Sequence, residues 1–137
     1  MTTQVSLILY VALGGAFGSV LRYLTGLVCT PWITSQLNLW LPKTNLLYFT
    51  YATLLVNVIG AFLIGLASAL FNKMAMGLPI RLLVITGVLG GFTTFSSFGL
   101  DTLQLIQQQQ LGLSALYVAS SVVLGLTMVY FGWMIGQ

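Results

Sequence analysis

Histidine is absent from this 137-residue sequence, cysteine occurs once, and only one side chain is acidic. With Cys29 alone and no histidine, the chain lacks the residues for a His-based catalytic triad, a zinc ligand set or an intramolecular disulfide. Asp101 has no second carboxylate to work with, so paired acid/base catalysis is also excluded. These absences argue against an enzyme.

Charge is equally scarce. Charged residues make up 4% of the chain, against about a quarter in soluble domains, while 58% of the residues are hydrophobic. The net charge of +3 is too small and dispersed for a nucleic-acid-binding surface. Since the hydrophobic runs are continuous rather than alternating, we expect an all-α integral membrane protein and not a β-barrel. The charged residues are Arg22, Lys43, Lys73, Arg81 and Asp101.

Four hydrophobic runs are long enough to cross a membrane, which takes roughly 20 helical residues. The first run is too long for a signal-peptide core and follows no basic residue, so it is predicted to be a membrane helix that ends before Pro31. Pro79 suits the first turn of the third helix, where its missing N–H costs nothing. The predicted spans are about 5–28, 49–71, 80–106 and 113–135, in a single transmembrane domain of residues 1–137.

The basic residues hardly favour one orientation in the membrane. Lys73 and Arg81 would lie on the side of the N-terminus, and Lys43, with Arg22 near it, on the other side. Orientation follows the asymmetry of Lys and Arg between the two sides, so we expect insertion in both directions. Trp32 and Trp40, between the first two spans, are typical of an interfacial belt.

Polar and small residues interrupt the first two spans. Gly14, Gly18 and Gly26 fall on one stripe of the first helix and predict close helix packing. Arg22 shares that stripe and would reach either the lipid headgroups or an aqueous vestibule. Thr53 and Asn57 share a face of the second helix. Hydrocarbon cannot satisfy the Asn57 amide, which leaves two alternatives: an interhelical hydrogen bond or a pore-facing donor.

The third span contains the least helical stretch, Gly90–Ser97, in which six of eight residues are small or carry a hydroxyl. Such a stretch predicts an interruption near the middle of the helix. Freed carbonyls there would suit a monovalent cation, and freed N–H groups with nearby hydroxyls would suit an anion. A glycine kink that aids packing is the alternative.

Phe95 and Phe98 lie one helical turn apart, and such pairs usually face lipid or the protein core. Their ring edges are electropositive, so edges aimed at a passage would attract a small anion without a permanent charge. The other polar groups at membrane depth are hydroxyls and amides, which favours an anion over a cation or a proton as the permeating species. Those groups are Thr53, Asn57, Thr93, Thr94, Ser96, Ser97, Tyr117 and Ser121.

Three segments, in order along the chain, resemble the Fluc (CrcB) family of fluoride channels. They are GGAFGSVLRY at Gly14–Tyr23, TLLVNVIGAFLIG at Thr53–Gly65 and GVLGGFTTFSSF at Gly87–Phe98. The third segment is the most specific of them. The resemblance implies a channel in the bacterial inner membrane that exports fluoride passively. It also implies an antiparallel, dual-topology homodimer with two fluoride pores, and a central structural Na⁺.

The resemblance also implies roles for individual residues. The Na⁺ would be held by the backbone carbonyls of Gly90 and Thr93 from both subunits. Arg22 would stand at the vestibule. The fluoride pore would be formed by Asn57, the rings of Phe95 and Phe98, and a polar track of Thr53, Ser96, Ser97, Tyr117 and Ser121.

The sequence departs from the family pattern TTFSTFSxE at three positions, where Ser97, Gly99 and Asp101 replace Thr, Ser and Glu. Ser97 keeps the hydroxyl, whereas Gly99 loses one.

Two other functions compete with a channel. A small proton-coupled multidrug-type exporter would need a carboxylate in its first helix, which is absent here. A non-conducting membrane assembly subunit would not depend on Asn57 or Phe95.

Overall fold

The computed structural model describes residues 2–37 and 45–137, and this part of the chain is helical apart from short turns and one interruption. It contains four helices long and apolar enough to cross a membrane, which confirms the predicted all-helical architecture. The protein is therefore a multi-pass membrane protein. The four spans are Gln4–Cys29, Thr50–Lys73, Leu78–Gln107 and Leu111–Gly136.

The third span is built from several pieces, whereas the other three are single α-helices. It begins with α3 at Leu78–Arg81, continues as a π-helical segment at Leu82–Leu89, and ends with α4 at Gly90–Phe92 and α5 at Phe95–Gln107. The N–H of Gly90 donates to the carbonyl of Ile85, five residues back, at the end of the π segment. The single helices are α1 at Thr2–Leu37, α2 at Asn45–Lys73 and α6 at Leu111–Gly136.

Helix α1 does not end before Pro31, as the sequence predicted, but continues to Leu37. A proline removes one N–H and frees the carbonyl four residues back, here that of Leu27. Because the membrane-crossing stretch ends at Cys29, this carbonyl lies near the interface, where water and headgroups can bond to it. Trp40 and the side chain of Trp32, assigned to an interfacial belt, lie outside the described residues.

Close helix packing depends on glycines whose missing side chains let backbones touch. A Cβ on Gly87 of the π segment would lie 2.8 Å from the Cα of Gly14 in α1. A Cβ on Gly18 would lie 2.9 Å from the backbone nitrogen of Phe92, and closer still to the carbonyl of Val88. Gly26 is different: in the described part of the chain, no heavy atom outside its own helix lies within 4 Å of the equivalent point. Of the predicted stripe, Gly14 and Gly18 therefore form the packing face.

Helices α2 and α6 form the second close pair, although they are not consecutive in the sequence. A Cβ on Gly132 would meet the backbone of Phe62 and Leu66, and a Cβ on Gly65 would lie 2.9 Å from the carbonyl carbon of Val129. Helix α2 also contacts the third span, but its most extensive neighbour is α6. The fold thus consists of α1 against the third span and α2 against α6, with the interruption facing α2.

We predict that Gly18→Ala lowers the stability of the folded protein by about 1–3 kcal/mol, because the added methyl overlaps the Val88 carbonyl of the π segment and crowds Phe92 of α4. Gly26→Ala is the matched control on the same helix. It should leave stability unchanged or raise it slightly, since alanine favours a helix. Thermal unfolding in detergent, followed by tryptophan fluorescence, measures both. Equal midpoints for the two variants would contradict the assigned packing face.

Candidate functional site at the interrupted helix

The interruption consists of Thr93 and Thr94, whose backbones are extended rather than helical. Thr93 has φ −76° and ψ 157°, and Thr94 has φ −151° and ψ 122°. The N–H of Thr93 still donates to the carbonyl of Leu89 at 3.0 Å, so the preceding helix is complete up to this residue. The carbonyls of its last turn, from Gly90 onwards, have no α-helical partner. In a membrane these groups need other partners.

Asn57 on α2 supplies two of the missing hydrogen bonds. The backbone N–H of Thr94 donates to Asn57 Oδ1 at 2.8 Å, and Asn57 Nδ2 donates to the carbonyl of Thr94 at 3.0 Å. The side-chain amide therefore pairs with the interruption as a neighbouring β-strand would. The interhelical bond, one of the two alternatives for this residue, is thus present. The second N–H of the amide is left for another acceptor, so the pore-donor role stays a prediction.

Thr94 also caps the helix that follows. Its Oγ1 accepts from the backbone N–H of Ser97 at 3.2 Å, which is the N-cap bond of α5. The same Oγ1 lies 3.1 Å from Ser97 Oγ and 3.2 Å from Ser96 Oγ. The predicted pore residues Ser96 and Ser97 therefore both contact Thr94, which was not assigned to the pore. A threonine three residues before Ser97 is a capping signal that the sequence did contain.

A cavity of about 690 Å³ opens between α1, α2 and the interruption. Thr53 and Val56 line it from α2, and Thr94 and Ser97 line it from the third span. Arg22 lines it from α1 and is the single charged residue of the wall within the described residues. Its Nη1 donates to the carbonyl of Thr93 at 3.3 Å. Arg22 therefore lies at a cavity, and its role at an aqueous vestibule stays a prediction.

Three aromatic rings follow one another from the interruption towards α6. The ring centroids of Phe95 and Phe98 are 5.5 Å apart, and those of Phe98 and Tyr117 are 5.3 Å apart, each pair inclined by 44°. Phe98 packs against the small buried core of Leu105 and Tyr117. Phe95 is 84% exposed in the single chain, and Phe98 is the one aromatic ring among the described residues that packs on it.

Asp101 is buried beside these rings, although the sequence assigned it no role. The residue is 6% exposed, and Tyr117 Oη donates to Asp101 Oδ2 at 3.3 Å. The side chain of Thr53 lies near the same carboxyl group. Because Thr53 also lines the large cavity, it connects that cavity to Tyr117. A carboxylate inside a membrane span is the signal that could have marked Asp101.

Ser121 lies one helical turn beyond Tyr117 on α6, and the structure does not join it to the group above. Its Oγ is buried and has no hydrogen-bond partner within the part of the chain that the structure describes.

A smaller cavity of about 80 Å³ lies next to Tyr117, between α2, α5 and α6. Tyr117 therefore lines the smaller cavity, whereas Thr53 lines the larger one.

The carbonyls of Gly90 and Thr93 have the chemistry that a hard monovalent cation requires. The N–H of Thr94, the usual partner of the Gly90 carbonyl, bonds to Asn57 instead. The N–H of Ser97, the usual partner of the Thr93 carbonyl, bonds to Thr94 Oγ1. The Thr93 carbonyl already accepts from a cationic group, the guanidinium of Arg22. Among the described residues, no group of His, Cys, Asp and Glu could hold a metal ion.

Comparison with known proteins identifies the family. Residues 9–133 match the family described as CrcB-like protein, Camphor Resistance (CrcB). The chain belongs to the CrcB family. The matched range extends from before Arg22 to beyond Ser121, so it includes every residue of the candidate site. The resemblance carried by the three sequence segments is therefore confirmed.

Curated CrcB relatives are similar over nearly their whole length. A protein of Agrobacterium fabrum, named fluoride-specific ion channel FluC, is 42% identical over 128 residues, which is 93% of this chain and 93% of that protein. Proteins with the same name from Helicobacter pylori and Thermus thermophilus are 41% and 42% identical, over 94% and 93% of this chain and 92% and 91% of their own lengths.

We predict that Asn57→Asp destabilises the protein by about 2 kcal/mol or more, because it leaves a buried carbonyl without its donor. The new carboxylate oxygen would also face the Thr94 carbonyl. Asn72→Asp is the matched control, since exposed Asn72 accepts from Arg81 through the oxygen that aspartate retains. Thermal unfolding in detergent should separate the two variants. Similar midpoints would mean that the Asn57 bridge does not hold the interruption.

Proposed function

We propose that this protein is a fluoride-selective channel that exports fluoride from the bacterial cytoplasm across the inner membrane by passive electrodiffusion. The named relatives are ion channels, which are not enzymes. In acidic surroundings fluoride is protonated and leaks into the cell as neutral HF. HF loses its proton in the more alkaline cytoplasm, and the trapped fluoride anion leaves through the channel down its gradient. Lower fluoride toxicity is the physiological result.

The observation that carries this proposal is the row of hydrogen-bond donors leading away from the cavity at the interruption. Arg22, Thr53, Thr94 and Ser97 line the cavity, and Thr53 connects it to Asp101 and Tyr117. Neutral donors replace part of the water around a small anion without binding it too tightly to leave. The free N–H of Asn57 and the ring edges of Phe95 and Phe98 would complete this shell, with Ser96 and Ser121 extending the polar track.

Fluoride selectivity follows from the same groups. Fluoride is smaller than chloride and accepts stronger hydrogen bonds, so a narrow passage lined by hydroxyls favours it. The carboxyl group of Asp101 accepts from Tyr117 and lies near Thr53, beside the passage. Since each hydroxyl has one hydrogen, Tyr117 or Thr53 would donate to a permeating anion only when that hydroxyl turns away from the carboxyl group.

The functional unit in this proposal is an antiparallel, dual-topology homodimer with two pores. Support comes from the near absence of Lys/Arg bias and from Phe95, a proposed pore residue that is 84% exposed in one chain. A second subunit would cover that ring and complete the wall around it. Opposed subunits would bring their interruptions together about a two-fold axis.

A structural Na⁺ at the centre of this dimer is part of the proposal. The carbonyls of Gly90 and Thr93, which lack helical partners, would hold it together with the same carbonyls of the second subunit. The ion would supply positive charge that offsets the carbonyl dipoles of two helix ends. Arg22 and Asn57 hold the backbone of the interruption from α1 and α2.

The direct test is fluoride efflux from proteoliposomes of the purified protein, recorded with a fluoride electrode. We expect rapid fluoride efflux and chloride efflux slower by at least about tenfold, since each 1.4 kcal/mol of discrimination corresponds to one factor of ten. Protein-free liposomes are the control. Chloride flux as fast as that of fluoride would contradict the selectivity, and no fluoride flux would favour an assembly subunit.

Replacing Asp101 distinguishes the channel from a proton-coupled exporter. Asp101→Asn keeps an oxygen that accepts from Tyr117 but removes the single carboxylate side chain of the membrane domain. We expect fluoride efflux from Asp101→Asn proteoliposomes to remain within about threefold of the wild type and not to require a pH gradient. Flux that is abolished by this change, and driven by a pH gradient in the wild type, would favour the exporter.

A further inference from the structure

Arg22 reaches from α1 to the interruption and contacts it at one atom. Its Nη1 donates to the carbonyl of Thr93, and the side chain is half-buried along the way. The contact requires α1 and the third span to lie close together, as the backbone contacts at Gly14 and Gly18 allow. The guanidinium therefore stands between the Thr93 carbonyl and the large cavity.

The charge of Arg22 is not balanced within this site. The chain contains one acidic side chain, Asp101, and its carboxyl group accepts a hydrogen bond from Tyr117 instead. The polar groups that share the cavity wall with Arg22 are hydroxyl groups, such as those of Thr94 and Ser97, and apolar residues such as Val56 complete the wall. A full positive charge in a partly buried site without a counter-charge attracts an anion from solution.

The same charge opposes a cation at the Thr93 carbonyl. A carbonyl oxygen has two lone pairs, so it can accept from the guanidinium and also ligate an ion. The two positive charges would then share one oxygen atom, in a setting where water screens them weakly. Binding of a cation at this carbonyl is therefore weakened by Arg22 until an anion in the cavity balances the guanidinium.

We propose that Arg22 couples the anion in the cavity to the cation at the interruption, so that fluoride and Na⁺ each tighten the binding of the other. This inference rests on the fluoride channel and the sodium site proposed above. It adds that the two ions are linked through one side chain. Such coupling is reciprocal, because it is a free energy shared between two sites.

The experiment measures the dissociation constant of Na⁺ by isothermal titration calorimetry on the full-length protein in detergent, at constant ionic strength. Titrations are made in gluconate and again with saturating fluoride. We expect fluoride to tighten Na⁺ binding to the wild type about fivefold or more. In gluconate, Arg22→Met, which removes the charge, should bind Na⁺ more tightly than the wild type, on the order of tenfold. The Met variant should no longer respond to fluoride.

Arg22→Lys is the matched control, because it keeps the positive charge and a similar reach. It should retain the response to fluoride. Na⁺ binding to the Met variant that is weaker than or equal to that of the wild type would overturn the coupling, and so would a fluoride response that persists in that variant. If the wild type binds no Na⁺ yet passes fluoride in proteoliposomes, the sodium site and the coupling both fail while the channel stands. Absent fluoride flux would instead reject the channel itself.

Discussion

The pairing of the Asn57 amide with the backbone of Thr94 is the interaction on which the rest of the site depends. Lipid offers no hydrogen bonds, so an extended backbone within a span persists only if protein groups bond to it. Asn57 offers one acceptor and one donor at 2.8 and 3.0 Å, as a strand neighbour would. Without it, the carbonyl and N–H of Thr94 would be unpaired in the interior, which costs about 1–3 kcal/mol for each group.

Two further side chains bond to backbone groups at the interruption. Thr94 Oγ1 caps α5 through the N–H of Ser97, and Arg22 bonds to the carbonyl of Thr93. Partners from α1, α2 and the third span itself thus satisfy the Ser97 N–H, the Thr93 carbonyl and the backbone of Thr94. The Gly90 carbonyl is different, because its usual partner, the N–H of Thr94, bonds to Asn57. Arg22 of α1 and Asn57 of α2 bond to the interruption, and the cavity lies beside it.

Glycine determines which helices can take part in this arrangement. Gly14 and Gly18 bring the backbone of α1 against the π segment and α4, and only at that separation does the Arg22 side chain meet Thr93. Gly65 and Gly132 do the same for α2 and α6. The polar contacts of the site therefore depend on helix packing, because each of them needs a defined distance between two backbones.

Composition and periodicity determined the four apolar helices, the position of Pro79 in a first turn, and the choice of Gly90–Ser97 as the unusual segment. These features depend on residues close together in the chain, so local patterns predict them. Tertiary structure alone decided that α2 packs mainly on α6 and that Gly26 is left out of the packing face. It also decided the hydrogen-bond partners: Asn57 bonds to Thr94, Arg22 to Thr93, and Asp101 to Tyr117. The reason is physical: a buried polar side chain bonds to whichever group the packed backbones bring within about 3 Å, and spacing along one helix does not encode that partner.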